Sequence, residues 1–526
     1  MELSRPIAQM NAEELRQLSA TLLAQLAERD ARHSAHIALL ARRDEEIKAK
    51  QLKIDQLTHE MAILKRWRFD RRSEQLDVVQ RSLLDESIDA DIEAIGLEIE
   101  ALREEPAAPR AKPRRVALPS SFPRREVRHE PENTHCSCGC SLERIGEDVS
   151  EKLDYTPGVF GVERHIRGKW VCRACERLIQ APVAPHIIDK GIPTAGLLAQ
   201  VLIAKYLDHQ PLYRQEGIFE RAGLALPRST LAQWVGACGV KVQPLIEAMK
   251  AQLLSHTVLH ADETPVPMLK PGHGRTHRAY LWSYSTSEYE PQQMVLYDFA
   301  ETRGGVHARE FLGTWSGKLV CDDYAGYKAL FERGIIEIGC MAHARRKFHD
   351  LYANHRSELA ESALRYFAEL YQIEAEARER RLDAENRRRL RQQRSKPIAE
   401  ALRQWLTRQR SQVPDGSATA KAIEYSLGRW AALTRYLEDG DLPIDNNHIE
   451  NRIRPVALGR SNWLFAGSLR AGQRAAAIMS LIQSAKLNGH DPYRYLKDVL
   501  ERLPTQPASR IAELLPHSWQ PTPTNH

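Results

Sequence analysis

The 526-residue sequence contains no run of about 18 apolar residues, the length that a helix needs to cross a bilayer. Its opening segment, MELSRPIAQMNAEELRQL, lacks the apolar core of a signal peptide. A strong imbalance of charge is also missing, because 75 basic residues oppose 69 acidic ones and leave a formal net charge of +6. These absences argue against a membrane-spanning protein and predict a cytoplasmic one. The net charge does not identify a polyanionic partner, so local clusters must be considered.

Glycine and proline are both absent between residues 7 and 95, which predicts a long-helix region over residues 1–105. Apolar residues recur there every seven positions, with a second set three residues later, as in the a and d positions of a coiled coil: Leu40, Ile47, Ile54 and Met61, with Leu57 and Leu64. Arg43 and Lys50 interrupt the second set. We predict a self-associating coiled coil, with a helical hairpin docked on the body as the alternative.

Two basic segments follow. LKRWRFDRRSE, residues 64–74, interleaves aromatic rings with arginines and either meets phosphates or forms a solvated helix face. Residues 106–131 hold six prolines and seven Lys or Arg against two Glu, so this stretch cannot bury a core. We predict an extended linker there, with sliding on a nucleic-acid backbone as a further use of its charge.

Cysteine is scarce, but five of the eight cysteines lie between 136 and 175. In a reducing compartment such clustering favours metal binding over disulfides. Cys172 and Cys175 form a Cys-x-x-Cys half-site, and the other pair is His135 with Cys138, or Cys136 with Cys138 or Cys140. Residues 132–190 are therefore predicted to form a zinc ribbon-like module, in which two turns supply four ligands to Zn²⁺. The alternative is a knuckle that no longer binds metal.

Residues 191–254 have a helical pattern throughout. A helix ending at RAG, a short LALP turn and a second helix capped by Ser229 or Thr230 resemble a helix-turn-helix. This interpretation would bring Arg228 and Gln233 near DNA bases or phosphates. Ordinary helical packing gives the same pattern.

After residue 255 the periodicity changes to the order β-β-β-α-β-α-β. The order predicts a mixed sheet with helices on its faces, as in ribonuclease H-like folds, within a multidomain α+β protein. The core would comprise residues 255–350 and 441–490, with a helical insertion over 351–440 and a carboxy-terminal tail over 491–526. Asp262 is expected to end the first strand and Asp322 the fourth, with those two strands adjacent at the sheet centre.

Paired acids at adjacent strand ends are costly unless a cation neutralises them. Two Mg²⁺ ions held by three carboxylates would activate a water or 3′-hydroxyl for phosphodiester transfer. Glu450, in PIDNNHIENRIRP, is the candidate third carboxylate, since Asn446, Glu450 and Arg454 share a helix face. A capping box between Asn447 and Glu450 is a structural alternative. Only one of Asp322 and Asp323 can serve, and the arginine-rich segment 378–394 is either a phosphate-binding stripe or a solvated face.

Four blocks carry a family likeness: HADETPV, LVCDDYAGYK, GCMAHARRKF and DNNHIENRIRPVALGRSNWLFAGS. In that order they resemble the large, TnpC-like DDE transposases of the insertion-sequence family numbered sixty-six, over nearly the whole chain. The resemblance implies a catalytic triad of Asp262, Asp322 and Glu450, and it selects Asp322 over Asp323. It also implies that AHARRKF places His343, Arg345 and Arg346 beside the core. The first zinc knuckle departs from the family pattern.

The resulting hypothesis is a bacterial DNA transposase that nicks the ends of its own mobile element and joins the freed 3′-hydroxyls to target DNA. Phosphate contacts would come from His343, Arg345, Arg346, Arg452 and Arg454. The implied cofactors are catalytic Mg²⁺ or Mn²⁺ and structural Zn²⁺, and the implied partners are double-stranded DNA, further copies of the chain and small accessory proteins. The alternatives are a DNA-binding regulator without catalysis and a structure-selective nuclease of the same fold.

Overall fold

A computed structural model describes residues 12–69, 78–103, 118–131, 135–156, 158–183, 185–188, 191–270 and 276–521. The predicted aromatic and arginine segment 64–74 lies largely outside the described residues, since it is not described beyond residue 69 and its side chains are not described from residue 66 onward. Much of the predicted linker, residues 104–117, also lies outside them. No helix within the described ranges is both long enough and apolar enough to span a bilayer.

The amino-terminal region consists of two helices, α1 (Ala12–Phe69) and α2 (Val78–Leu102). The described residues of Met1–Trp67 and Ile95–Ala111 form one compact unit, and those of Arg68–Ala94 and Lys112–His526 form a second. In the first unit, Leu40 and Ile47 are about half exposed whereas Leu57 and Leu64 are buried. Gly96 lies next to Met61, so the ends of the two helices pack as a hairpin. The exposed half of α1 keeps the predicted seam available for self-association.

Helix α2 ends at Leu102, close to the predicted end of the helical region at residue 105, but the first part of α2 belongs to the second unit. Asp91 is buried there and accepts a hydrogen bond from Arg474 at 2.9 Å. Glu86, also buried, accepts from Lys205 at 3.2 Å. Since a buried acid is stable only with such partners, these polar contacts fix the segment in the body of the protein.

A four-stranded sheet follows, made of β1 (Arg124–His129), β2 (Glu143–Thr156), β3 (Val159–Val171) and β4 (Leu178–Gln180). Strands β2 and β3 form a long antiparallel hairpin, and β1 pairs with β3 in parallel. The end of the predicted linker 106–131 is therefore a strand, which corrects that prediction. Its sequence, RREVRH, carries no alternating apolar pattern, and it joins the sheet through backbone hydrogen bonds beside β3.

A helical layer comes next: α3 (Ala195–Tyr206), α4 (Leu212–Arg221), α5 (Arg228–Lys241) and α6 (Gln243–Leu253). The central sheet then contains β5 (Val258–Met268), β6 (His277–Thr286), β7 (Val295–Ala300), β8 (Lys318–Cys321) and β9 (Ile336–Gly339), with α7 (Gly305–Leu312) before β8 and α8 (Lys328–Phe331) before β9. The order of elements agrees with the prediction. The strand order is β7-β6-β5-β8-β9, in which the first three are antiparallel and β5, β8 and β9 are parallel.

The two faces of this sheet contribute to different cores because side chains alternate along each strand. Leu259 and Leu319 belong to the larger core, which they share with α3, α5 and α6. Val258 and Val320 belong to a second core built with the helices of the insertion. Those helices are α9 (Met341–His355), α10 (Glu358–Glu379), α11 (Ala384–Leu390), α12 (Lys396–Arg410), α13 (Ala418–Gly428) and α14 (Trp430–Thr434), with a π-helical turn at Arg391–Ser395. The insertion thus shares a core with the sheet.

The chain closes with α15 (Asn447–Trp463), α16 (Leu469–Leu487) and α17 (Pro492–Arg502). Helix α16 covers the edge strand β7. The hydroxyls of Ser480 and Ser484 accept hydrogen bonds from the backbone amides of Tyr297 and Val295 at 2.9 and 3.0 Å. A helix therefore satisfies edge groups that a sixth strand would otherwise pair.

Candidate active site

Asp262 and Asp322 lie at the place where two parallel strands separate. Strands β5 and β8 pair at Val258–Lys318, Leu259–Leu319 and His260–Val320. Continuing that register by two residues puts Asp262 opposite Asp322. Asp262 is four residues after Val258, and Asp322 is two residues after Val320. Because side chains alternate along a strand, both acids lie on the sheet face of these valines, which packs against the insertion.

The prediction that Asp262 ends its strand is wrong, because β5 continues to Met268. Beyond His260, β6 is the only described strand that pairs with β5, and on the other side Ala466 forms a single bridge with Met268. Pro265 and Pro267 are tolerated here because β8 no longer pairs with this part of the strand and needs no amide donor from it. The acid therefore projects from the middle of a long strand at the point where its second partner leaves.

Asp323, the neighbour of Asp322, has a different environment. Its side chain is half exposed and lies 3.5 Å from the guanidinium of Arg429. Asp322 instead accepts a hydrogen bond from the backbone amide of Tyr324 at 2.9 Å, which fixes its carboxylate beside the strand end. The two acids thus have separate partners, and Asp322 is the one that accompanies Asp262.

Glu450 lies in the first turn of α15. The helix is preceded by Asn446 as its N-cap residue, and no side-chain capping bond is made there. Asn447 is the first helical residue, and its side-chain amide donates to Asp445 at 2.9 Å. The alternative of a capping box between Asn447 and Glu450 is therefore wrong, because the helix starts one residue earlier than that box requires. The carboxylate of Glu450 therefore does not cap the N-terminus of its own helix.

Asn446 joins α15 to the strand that carries Asp262. Its side chain is completely buried, and its Nδ2 donates to the carbonyl of Ala261 at 2.9 Å. Its Oδ1 lies 2.7 Å from Nδ1 of His260, a ring that is also completely buried. One side chain thus fixes the start of the Glu450 helix next to the residue before Asp262.

The neighbouring acids act on Asp262. Burial first, and then the carboxylates of Glu263, Asp322 and Glu450, together raise the pKa of Asp262 to about 8. Glu263 is buried on the other face, where it accepts two hydrogen bonds from Arg303 at 2.8 and 2.6 Å and one from Tyr327 at 2.9 Å. Sequence reasoning missed Glu263 and Arg303, although the letters DE in HADET placed the second acid beside the first.

Two residues of α9 contact Glu450. Nε2 of His343 lies 3.8 Å from Oε1, and Nη2 of Arg346 lies 3.5 Å from Oε2. The AHARRKF block is therefore beside the acids, as the resemblance implied. Arg345 is exposed on α9, one residue before Arg346.

The two arginines of α15 differ in burial. Arg454 is exposed, one helical turn after Glu450. Arg452 is partly buried, and burial lowers its pKa. The hydroxyl of Tyr297 donates to the backbone carbonyl of Arg452 at 2.6 Å. These contacts place Arg454 at the surface and hold Arg452 against the sheet.

The donor set suits a hard divalent cation. Mg²⁺ and Mn²⁺ prefer carboxylate oxygens. Asp322 and Glu450 raise the pKa of Asp262, and a nearby cation would offset this repulsion between carboxylates. In the described part of the chain, no group donates a hydrogen bond to the buried Oε1 of Glu450. A buried carboxylate oxygen without a donor is costly, and a cation bound to it would remove that cost.

The loop that leads to α15 is held by the insertion. Arg391, in the π-helical turn, is completely buried and pairs with buried Glu374 at 2.7 Å. Its Nη1 lies 2.9 Å from each of three backbone carbonyls, those of Tyr436, Asp439 and Leu442. Within the arginine-rich segment 378–394, this side chain is therefore structural. Arg388 and Arg389 pair with Glu385 at the surface, as expected for a solvated face.

The cysteine module gathers four sulfurs. The Sγ atoms of Cys136, Cys138, Cys172 and Cys175 all lie within 4.8 Å of one another. Three of the separations are 3.3, 3.6 and 3.9 Å, close to the sulfur–sulfur distance of about 3.8 Å expected around tetrahedral Zn²⁺ with Zn–S bonds of about 2.3 Å. The cluster fits a structural zinc ion.

Two tight turns present these sulfurs. In the first, the amide of Gly139 donates to the carbonyl of Cys136 at 2.9 Å, and Gly139 has a φ of 87°, which favours glycine. A hydrogen bond from the backbone of Cys138, together with the neighbouring thiols, lowers the pKa of the Cys136 thiol to about 6, which favours the thiolate that zinc requires. Cys140 and His135 flank this turn and are outside the four-sulfur group. Of the upstream pairs left open by the sequence, the geometry brings Cys136 and Cys138 to the downstream pair.

The helix-turn-helix interpretation needs correction. Helix α5 begins at Arg228 after Pro227, so Ser229 and Thr230 lie inside its first turn and do not cap it. The central turns of α5 are buried on several sides, and a Cβ on Gly236 would meet the backbone of Ala90 at 2.3 Å. A helix that enters a major groove needs an exposed face along its length, so the recognition-helix prediction is wrong for the body of α5. Gln233 is exposed and Arg228 is half-buried at the start of the helix.

The chain combines a four-cysteine cluster with a mixed-sheet domain that carries Asp262, Asp322 and Glu450. The chain belongs to the IS66 transposase family, whose model, described as transposase IS66 family, matches residues 190–474. Further matches are to the IS66 C-terminal element at 480–517, the zinc-finger binding domain of transposase IS66 at 133–176, and the transposase C of IS166 homeodomain at 56–127. The family resemblance read from the sequence is confirmed.

Full-length relatives occur in Sinorhizobium fredii (strain NBRC 101917 / NGR234). Uncharacterized protein y4qI is 36% identical over 525 residues, which cover 96% of this chain and 97% of the relative. Uncharacterized protein y4jD is 38% identical over 419 residues, or 77% of this chain and 81% of the relative. Uncharacterized protein y4hP is 33% identical over 499 residues, or 90% and 89%. The family relationship therefore extends over nearly the whole chain.

Proposed function

We propose that the protein is a DNA transposase that cleaves the ends of a mobile element and joins them to target DNA, with Asp262, Asp322 and Glu450 as its catalytic acids. The observation that carries the proposal is the register that sets Asp262 opposite Asp322 where β5 and β8 separate, with Glu450 on a helix that Asn446 holds against β5. The strand order β7-β6-β5-β8-β9 supports a ribonuclease H-like core. Membership of the transposase family supports the reaction class.

The three acids would hold Mg²⁺ or Mn²⁺, which when bound supplies Lewis-acid stabilisation of the phosphodiester oxygens and activates the attacking water or hydroxyl. Asp262 must lose its proton to take part, and its raised pKa makes it the group most sensitive to pH. Asn446 fixes the helix of Glu450 against β5. His343 and Arg346 orient the Glu450 carboxylate from α9, and Arg346 extends to solvent, where a DNA phosphate can be bound.

The other predicted DNA contacts support the same reaction. Arg345 and Arg454 are exposed beside the acids, which suits phosphate binding. Arg452 and Arg228 are partly covered, so their contribution would be to position neighbouring groups as well as DNA. The four-cysteine module would be a structural zinc site that supports DNA binding.

The proposal is tested with labelled duplexes that carry the element ends, incubated with purified full-length protein and Mg²⁺ or Mn²⁺. Nicked and joined products are separated on a denaturing gel. We expect Asp262→Asn, Asp322→Asn and Glu450→Gln each to abolish cleavage and joining while end binding is retained in a mobility-shift assay. Companion proteins encoded with the element are added in parallel, because their absence would mimic inactivity.

Asp323→Asn is the matched control, since it removes the same charge one residue from Asp322 and its carboxylate faces Arg429. It should keep at least half of wild-type cleavage. Undiminished cleavage by Asp262→Asn would refute the catalytic assignment. Cleavage without joining by the wild-type protein would instead identify a nuclease, and binding without cleavage under all conditions would identify a regulator.

Oligomerisation through α1 is part of the proposal, because two element ends must be held together for transposition. Leu40 and Ile47 are exposed on the predicted seam. Light scattering of the full chain should show a smaller assembly for Leu40→Asp combined with Ile47→Asp than for wild type. An unchanged mass would remove this helix from the oligomer interface.

A further inference from the structure

A cleft opens directly beside Asp322. Its volume is about 410 Å³, and its walls include Arg303, Tyr324, His343, Arg346, Lys347 and Tyr425. This volume lies in the range of small-molecule sites, about 300 to 1,000 Å³. The walls are basic and aromatic, whereas a cleft that served only to hold a cation would be lined by acids.

One wall is a single face of α9. His343, Arg346, Lys347 and Asp350 follow one another at spacings of three, one and three residues, so they lie on one side of the helix. Arg345 is not part of this wall. Arg346 connects the cleft to the acids through its contact with Glu450, and its side chain is 58% exposed. Its remaining donors can therefore bind an oxygen of a strand that enters the cleft.

The other feature of the cleft is its two aromatic rings, each with a cation over its face. The guanidinium carbon of Arg303 lies 4.1 Å from the centre of the Tyr324 ring, and Nζ of Lys347 lies 4.4 Å from the centre of the Tyr425 ring. Tyr324 is also tied to Asp322 through its backbone amide. Tyrosine rings next to cations form the kind of surface on which nucleic-acid bases stack while their phosphates are neutralised.

The aspartates in the walls do not remove the basic and aromatic character of the cleft. Asp323 lies beside Arg429 at 3.5 Å. Asp350 is more than half exposed, three residues after Lys347 on α9, so solvent screens its charge. Asp322 belongs to the group of three carboxylates that suits a cation. The groups that remain to meet a ligand are therefore the two rings and the cations Arg346 and Lys347.

We propose that this cleft binds one unstacked nucleotide of the DNA strand adjacent to the phosphate that is cleaved. Its base stacks on Tyr324 and Tyr425, and its phosphate contacts Arg346 and Lys347. Bases inside a duplex have both faces covered by their neighbours, so a base reaches these rings only after leaving the stack. The identity of the strand rests on the proposed transposase function, whereas nucleotide binding by the cleft does not require cleavage.

The test uses the full-length protein and a five-nucleotide DNA, dT-dT-(2-aminopurine)-dT-dT, in buffer without added Mg²⁺. Fluorescence anisotropy reports binding, and quenching of 2-aminopurine reports stacking. We expect wild type to bind and to quench the fluorescence. Since stacking of one base is worth about 1–3 kcal/mol, Tyr324→Ala combined with Tyr425→Ala should weaken binding roughly 5- to 150-fold and remove the quenching.

Tyr324→Phe combined with Tyr425→Phe keeps both rings and should bind and quench as wild type does. If the alanine pair fails to fold, Arg346→Ala combined with Lys347→Ala provides a second test at two exposed positions, and it should weaken binding at least tenfold. Arg365→Ala, an exposed arginine on α10, is its control and should bind as wild type.

Absence of pentanucleotide binding by wild type, or unchanged binding and quenching in the alanine pair, would overturn the proposal. The separate cleavage assay distinguishes this failure from failure of the proposed function. A wild-type protein that cleaves element ends but shows no ring-dependent quenching keeps its transposase function and loses the nucleotide cleft. A protein that binds and quenches but never cleaves keeps the cleft and loses the catalytic assignment.

Discussion

Asn446 is the residue whose loss best tests how the acids are brought together. Its buried side chain connects the start of α15 to Ala261 and His260 of β5. Replacing it with alanine removes both hydrogen bonds and leaves a carbonyl and a ring nitrogen buried. Glu450 lies one helical turn after Asn446, so the position of its carboxylate relative to Asp262 depends on this connection.

The size of the effect follows from the groups that lose their partners. A buried polar group without a partner costs about 1–3 kcal/mol, so the two groups together cost about 2–6 kcal/mol if the local structure stays in place. The local structure can avoid part of this cost by moving α15 away from β5. A misplacement of about 1 Å at a catalytic group can lower the rate about 100-fold. Asn446→Ala should therefore reduce cleavage of element ends by about 100-fold.

The assay compares single-turnover cleavage rates and end-binding affinities of full-length proteins. Asn447→Ala is the matched control, because the neighbouring asparagine is exposed and its side-chain amide donates to Asp445 and not to β5. We expect end binding within about twofold of wild type for both variants, and a cleavage defect only for Asn446→Ala. Wild-type cleavage by a folded Asn446→Ala protein would refute the argument, as would an equal defect in Asn447→Ala.

Three further predictions concern charge, zinc and the insertion. The pKa of Asp262 is raised from 3.8 to about 8, so between these pH values the folded state binds a proton that the unfolded chain has released. The free energy of unfolding, measured by urea denaturation without added Mg²⁺, should therefore fall as the pH rises from about 4 to about 8. Asp262→Asn should remove this slope, and an identical slope in both proteins would contradict the assignment. Metal analysis should give one zinc per chain. The zinc should be kept in Cys140→Ser and His135→Ala and lost when any of the four clustered cysteines is replaced by serine: Cys136, Cys138, Cys172 or Cys175. Arg391→Met leaves Glu374 buried without its partner, at a cost of about 3–5 kcal/mol, and should speed amide exchange over residues 436–442, whereas Arg394→Met at a half-exposed position should not.

The order of elements in the central sheet could be predicted because each strand and helix carries its own apolar period. The predictions were wrong where an element depends on partners elsewhere in the chain, because the apolar period of its own sequence does not show those partners. Strand β5 runs past Asp262 through two prolines, where β6 is the only described strand that still pairs with it. The charged segment RREVRH forms a strand because β3 offers it backbone hydrogen bonds, and its composition gave no sign of this. Helix α5 has the sequence of a recognition helix but is enclosed by residues distant in the chain, including Ala90.

The residues of the candidate site could be predicted from their type and from their order along the chain. Acids next to predicted strands suggested Asp262 and Asp322, while the family resemblance selected Asp322 over Asp323 and supported Glu450. The contacts that hold these acids were not predictable. Asn446 was noted only for sharing a face with Glu450, and its bonds to β5 span about 185 residues of sequence. Such a pairing has no local pattern, because both partners are polar groups whose burial depends on the completed fold.

The position of Glu450 depends on a series of buried polar contacts that begins in the insertion. Arg391 binds the carbonyls of the loop before α15, and Tyr371 of α10 donates to Asp445 at 2.8 Å, directly before Asn446. Asn446 then bonds to β5, the strand of Asp262. Each of these groups is costly to bury without its partner, so displacing one favours displacement of the next. The insertion therefore has a physical role: it holds the loop that leads to Glu450, about 130 residues after Asp322 in sequence, against the strand that carries Asp262.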